Sequence, residues 1–237
     1  MKKIYEVREK RSAVFSTLKS IIKIFKKKPE IIVLDENPLE DKAIYIANHS
    51  AASGPFTFEL FFPKHFVPWG TYEMCGNYKM RWNYLYHVFY TKKLHYSKFK
   101  AFVLASGFAV ISKILYNATG LIATYKDVRL KSTFEKSTHA LNKSVPLLIF
   151  PEDSANGYYN MPTKYFEGFI SLAKIYYKKT NIDVPIYNVY YSKEKNKIII
   201  DKPIKINALL KEGKTEEEIS GMFLKGAHNL FKTYIEN

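Results

Sequence analysis

The stretch "IYIANHSAASGPFTF", residues 44–58, sets Asn48, His49 and Ser50 directly after a short apolar run and then continues through small residues to Gly54 and Pro55. An apolar run that stops at a polar turn reads as a buried strand opening onto a loop, where α/β folds expose reactive groups. The chemistry such a histidine could do is proton transfer, because imidazole titrates near neutrality and can take a proton from a hydroxyl. It could equally cap the strand or bond a local carbonyl, and this stretch alone leaves both roles open. Ser50 and Ser53 are turn formers; a nucleophilic role would require a base within hydrogen-bond reach.

Other chemistries lack their signatures. The chain has no G-x-S-x-G elbow, no phosphate loop ending in G-K-S/T, no G-x-G-x-x-G, and no H-E-x-x-H among its six histidines. Cys75 is the single cysteine, which excludes an internal disulfide and a cysteine-based zinc site. No metal and no cofactor are expected.

The elements that must position His49 follow from composition and pattern. The 237 residues, 47% hydrophobic and 25% charged, suit a globular chain with a real core. Ser12 to Lys28 carries Val14, Phe15, Leu18, Ile21, Ile22 and Phe25 at helical spacing with lysines beside them, and Pro29 stops it. Residues 1–30 are therefore expected as an amphipathic basic helix, packed on the domain or lying on a membrane surface. Residues 31–237 then alternate strands and helices. "KAIYIAN", "HFVPWGTYEM", "TGLIATY", "VPLLIFPE", "DVPIYNVYYS" and "NKIIIDKPIKI" read as strands, the second with a turn. "KSTFEKSTHALNKS", "KYFEGFISLAKIYYKK" and the terminal "TEEEISGMFLKGAHNLFKTYIEN" read as helices, the last N-capped by Thr215 with Glu216 to Glu218 in its first turn. The pattern predicts a single α/β domain with a mixed, mostly parallel sheet covered by helices. Between about residues 77 and 117 lies an aromatic-rich insert, read as core helices or as a greasy lid over an apolar groove leading to His49, lined partly by Phe99 to Leu115.

The 37 basic and 22 acidic residues leave a net charge of +15, so the surface attracts anions. Only Arg8, Arg11, Arg81 and Arg129 are arginines, whereas guanine edges favour arginine's planar fork. No specific nucleic-acid partner is expected. An anionic membrane surface needs only smeared positive charge. The longest uncharged runs, Ala101 to Ser112 and Ile114 to Tyr125, fall short of the ~20 apolar residues that span a bilayer, and lysines break the N-terminal apolar stretch too often for a signal peptide. The expectation is a peripheral protein on the cytoplasmic, inner face of a membrane.

Four segments in order, "NHSAASGP" (48–55), "GLIATYKD" (120–127), "FPEDSANGYY" (150–159) and "VPIYNVYY" (184–191), form a set. Their order and spacing resemble the 1-acylglycerol-3-phosphate acyltransferase family, which opens with N-H-x4-D after a strand. The family continues with a strand ending in arginine, then F-P-E-G-T/S-R, then a strand containing V-P. "KYFEGFISLAK" and "IIIDKPIKI" agree with its later helix and strand, and the likeness covers about Ala43 to Glu236.

The resemblance implies a glycerolipid-acyltransferase-like fold and an O-acyltransferase. It would move an acyl group from acyl-CoA or acyl carrier protein to a lipid acceptor, with His49 as the base and Glu152 and Asp153 beside it. Asn48, Ser50, Ser53, Lys126, Phe150, Pro151 and Ser154 would shape the substrate site, with Tyr158 and Tyr159 as walls and Gly168 allowing close helix packing. The chain departs from the family pattern where Gly54 takes the aspartate position and Asp153 the third motif's glycine. Both motif arginines are missing, with Tyr125 and Lys126 near one place and Ala155 and Asn156 near the other. One expectation is that Asp153, or failing that Glu152, hydrogen-bonds His49 in place of the lost carboxylate; the competing one is that Asp153 caps the following turn. A catalytically silent relative that binds lipid or acyl carrier protein is the alternative reading.

Overall fold

The computed structural model describes residues 6–236; residues 1–5 of the expected N-terminal helix segment and Asn237 of the expected terminal helix lie outside the described residues. Strands β1 (Glu30–Val33), β2 (Ile44–Ala47), β3 (Val67–Thr71), β4 (Ile122–Thr124), β5 (Leu147–Ile149), β6 (Ile186–Ser192) and β7 (Lys197–Ile200) build one sheet in the order β1-β7-β6-β2-β5-β3-β4. All neighbouring pairs are parallel except β6 with β7. The α/β class with a mixed, mostly parallel sheet is as the sequence predicted. β2 sits in the middle with every residue buried, which is why it reads as an unbroken apolar run rather than an alternating one.

Helices α1 (Ala13–Ile24), α2 (Ser53–Phe61), α3 (Tyr78–Asn83), α4 (Lys98–Thr119), α5 (Leu130–Asn142), α6 (Gly168–Thr180), α7 (Asn207–Lys211) and α8 (Glu216–Phe231) cover this sheet. Alternation along β2 divides the core in two. Ile44 and Ile46 join Leu141 of α5, Phe169 and Ile170 of α6 and Phe223 of α8, whereas Tyr45 and Ala47 join Phe58 of α2. α8 starts at the expected Thr215, where a reciprocal capping box with Glu218 satisfies both backbone N–H groups.

Several boundaries depart from the sequence reading. β1 and α2 were not anticipated. β1 has only "EIIV" and forms because β7 accepts it edge to edge. The Ser-Gly-Pro opening of α2 signals a turn, but burial of Phe58 and Leu60 holds it as a helix. α6 begins at Gly168 rather than near Lys164, since residues 164–166 are spent on a return pairing. The Asp153 N–H donates to the Lys164 carbonyl (2.9 Å) and the Phe166 N–H to the Pro151 carbonyl (2.8 Å). A methyl at residue 168 would make only ordinary contact with Trp69, at 3.5 Å, so Gly168 is not required by close packing.

α1 realises the expected helix over Ser12 to Lys28 in shortened form, with Ser12 Oγ accepting from the Phe15 N–H. It buries only Phe15 and is anchored by charge: Arg11 grips the Glu59 carboxylate at 2.9 and 2.6 Å, joined by Lys19 at 2.8 Å. Burial alone would raise the Glu59 carboxyl, but the two cations outweigh it and hold it below its ordinary value.

The insert folds as a 3-10 turn (Tyr72–Cys75), α3, a π-helical stretch (Tyr84–Lys93) and α4, around a small core of Met74, Leu85, Phe89, Ala105 and Ala109. The two uncharged runs read separately in the sequence are partly fused here, because Lys113 continues the helix instead of ending it. α4, with 22 residues, is long and apolar enough by length and composition to cross a membrane, although each uncharged run within it is shorter than a span. Most of its large side chains from Phe99 to Ile114 face outward, while Phe108 packs on this small core, so the exposed ones do not line a groove to His49.

Candidate active site at the carboxyl ends of β2 and β5

β2 and β5 are parallel neighbours whose following helices leave on opposite faces of the sheet, α2 with one core and α6 with the other. Such divergence marks the position beyond the strand ends where α/β proteins bind ligands. Residues 48–53 reach it from β2 and residues 150–154 from β5.

Asn48 acts as one more strand residue. Its Nδ2 donates to the Tyr191 carbonyl (3.0 Å) and its Oδ1 accepts from the Tyr191 N–H (2.8 Å), extending the β2–β6 pairing past the strand end. Ser50 and Ala51 then take positive φ of 43° and 52°, a left-handed pair that turns the chain sharply into α2. Ser53 Oγ closes this turn on the Ser50 carbonyl at 2.7 Å, so the two serines serve as turn formers. Gly54 is obligatory: an added Cβ would lie 2.1 Å from the His49 carbonyl oxygen. No aspartate can occupy that position with this backbone.

The His49 ring stacks on Tyr158 (centroids 4.8 Å apart, 26° between planes) and tilts over Phe150 at 4.9 Å. Its Nδ1 is buried and has no hydrogen-bond partner. Burial pushes the imidazole down to about 4; the Ala51 and His49 carbonyls oppose this and the Lys93 ammonium adds to it. His49 is therefore a neutral imidazole at physiological pH.

Glu152 is buried and pairs with Tyr165 in an isolated antiparallel bridge. Burial pushes its carboxyl up to about 7, against the His49 backbone N–H and the Lys93 ammonium, which lower it. Its Oε1 is a second buried polar atom without a partner, and the Tyr165 hydroxyl is a third. Buried polar atoms are nearly always paired, so these orphans mark the carboxyl ends of β2 and β5 as a candidate polar site.

Asp153 does not take the place of the missing carboxylate. Its Oδ1 accepts from the Ala155 N–H at 3.0 Å, capping the turn, and no hydrogen bond joins Asp153 or the Glu152 side chain to the imidazole. The local cap wins because a short aspartate meets the N–H two residues on without any distant rearrangement. Pro151 is buried and its carbonyl fixes Phe166, while Phe150 bridges His49 and Phe58.

One site cation was not foreseen. Lys93 ends the π-helical stretch, donates to Ser154 Oγ at 2.7 Å and stands 5.5 Å from the Tyr158 ring centre. Burial lowers its pKa; Glu152 and Asp153 oppose that, while Lys126 adds to it. In the sequence, Lys92 and Lys93 look like any solvated pair. Lys126 is exposed, and Arg129 nearby is occupied by Asp127 and the stacked Tyr72 and Tyr125 rings. Among the described residues no group of three His, Cys, Asp or Glu could hold a metal ion. In comparison with known proteins, no family model matches the chain and no curated protein matches it.

Proposed function

We propose that this chain is an O-acyltransferase that moves an acyl group from an acyl thioester, on coenzyme A or acyl carrier protein, to the hydroxyl of a lipid-like acceptor. The setting of that reading is the anionic inner, cytoplasmic face of a membrane. The observation that carries it is the neutral His49, whose Nδ1 has no partner, close to Glu152, whose Oε1 has none, at the carboxyl ends of β2 and β5. The acceptor O–H proton passes to the imidazole while its oxygen bonds to the thioester carbonyl carbon. Collapse of the tetrahedral intermediate breaks the C–S bond, and the departing thiolate takes a proton back. A thioester is already activated, so no protein nucleophile is required. The imidazole returns that proton to the thiolate, and Glu152, held next to the His49 backbone N–H, shapes the acceptor site beside it. Lys93 supplies the positive charge that the motif arginines supply in the family.

The test is transfer from labelled acyl-CoA and acyl carrier protein thioesters to lipid hydroxyls. His49→Ala and Glu152→Gln are each expected to lower turnover about 10²–10⁴-fold, whereas Asp153→Asn, which keeps its turn cap, leaves it little changed. Gly54 favours a second reading, a silent relative that binds lipid or acyl carrier protein. Thioester binding without turnover in the unmutated chain would establish it.

A further inference from the structure

α4 is packed in reverse. A surface helix in water turns its large apolar side chains inward, yet the buried line of α4 is Ala101, Ala105, Ala109 and Ser112. Phe99, Phe102, Val103, Val110, Ile111 and Ile114 point outward, each more than half exposed. The helix also carries Lys98, Lys100 and Lys113 and no acidic residue. A contiguous apolar face of this size marks an interaction surface.

We propose that the outward face of α4 docks this protein onto the surface of an anionic bilayer, with the helix lying in the interface. Charge decides the occupant. A second copy would bring the same lysines and a net charge of +15 against this face, whereas an acyl-chain layer beneath anionic headgroups complements apolar residues and lysines together. The helix lies on the bilayer because its inward face and its carboxyl end are tied down. Its inward line packs on Leu85 and Phe89, and Arg11 holds the Thr119 carbonyl at its end at 3.0 Å. The helix is linked to the site through its inward line, since Tyr158 packs on the Ala105–Ala109 cluster and stacks on His49. This inference deepens the membrane part of the proposed function but does not depend on the chemistry.

The test is co-sedimentation of the whole chain with vesicles of equal parts phosphatidylglycerol and phosphatidylcholine. The exposed-face variant Val103→Ser/Val110→Ser/Ile114→Ser is expected to partition at least about tenfold less, a step that three apolar side chains comfortably supply, and pure phosphatidylcholine to bind less of the unmutated chain. His49→Ala is expected to bind as the unmutated chain does, so loss of transfer and loss of docking are told apart. Trp82 bonds Ser106 of α4 at 3.0 Å and meets Phe102 edge-on at 5.9 Å, so brominated lipid should quench the Trp82 share of the fluorescence and spare that of Trp69, which bonds Ser137. Equal binding by the triple variant, or an unmutated chain whose Trp82 is not quenched, overturns the proposal. So does a dimer that the triple variant dissociates while vesicles are ignored, which would assign the face to a second copy.

Discussion

The carbonyl oxygen of His49 fills the space above Gly54, leaving 2.1 Å to the position of a side-chain Cβ. The histidine and the first turn of α2 thus meet backbone to backbone. Gly54→Asp is expected to destabilise the fold by about 1–3 kcal/mol, the usual range for forced overpacking, and not to improve acyl transfer. Urea unfolding and the thioester assay check this. A Gly54→Asp protein of full stability and higher turnover would show that the loop yields and the lost carboxylate can return.

His49 and Glu152 are expected to oppose each other in the pH dependence of stability. His49 is lowered from 6.5 to about 4, so its contribution is present above pH 6.5 and lost as pH falls through about 4. Glu152 is raised from 4.5 to about 7, so its contribution is present below pH 4.5 and lost as pH rises through about 7. Between pH 4.5 and 6.5 the two slopes largely cancel, each having a ceiling of about 1.4 kcal/mol per pH unit. Relative to the unmutated chain, Glu152→Gln should gain stability with rising pH across that window and His49→Gln should lose it. Parallel curves for all three proteins would mean that neither group is shifted.

Lys93 acts on both groups in the same sense, lowering each. Lys93→Met is therefore expected to raise the pKa of His49 and of Glu152 together. Titration of the His49 ring protons by NMR reads the first directly. An unmoved His49 would place the ammonium too far from the imidazole to matter.

Asn48 holds both polar groups of the Tyr191 backbone in a buried setting. Asn48→Ala leaves that N–H and carbonyl unpaired, and the expected loss is about 2–4 kcal/mol from two orphaned groups. Asn48→Asp keeps the acceptor but turns a negative oxygen on the carbonyl, so it should be no better at neutral pH. Stability within a few tenths of the unmutated chain would assign Asn48 to a substrate instead.

Features carried by neighbours in sequence were legible in the chain itself. The apolar run Ile44–Ala47 could only be a strand buried on both faces, and Thr215 with Glu218 wrote its own helix start. The Asx cap of Asp153 on Ala155 is equally local, and it was among the expected outcomes. The position of His49 at a strand mouth followed from the same local pattern. Contacts between distant segments were decided only by the tertiary structure. β1 exists because β7 pairs with it, and α6 starts late because residues 151–153 claim the backbone of 164–166. Lys93 reaches Ser154 across 61 residues, and nothing in its neighbourhood distinguishes it from a solvated lysine. Gly54 could be read as a missing carboxylate until the His49 carbonyl was placed against it. Periodicity and capping act over a single turn or strand, whereas a 2.1 Å approach between backbones exists only once both have been folded into place.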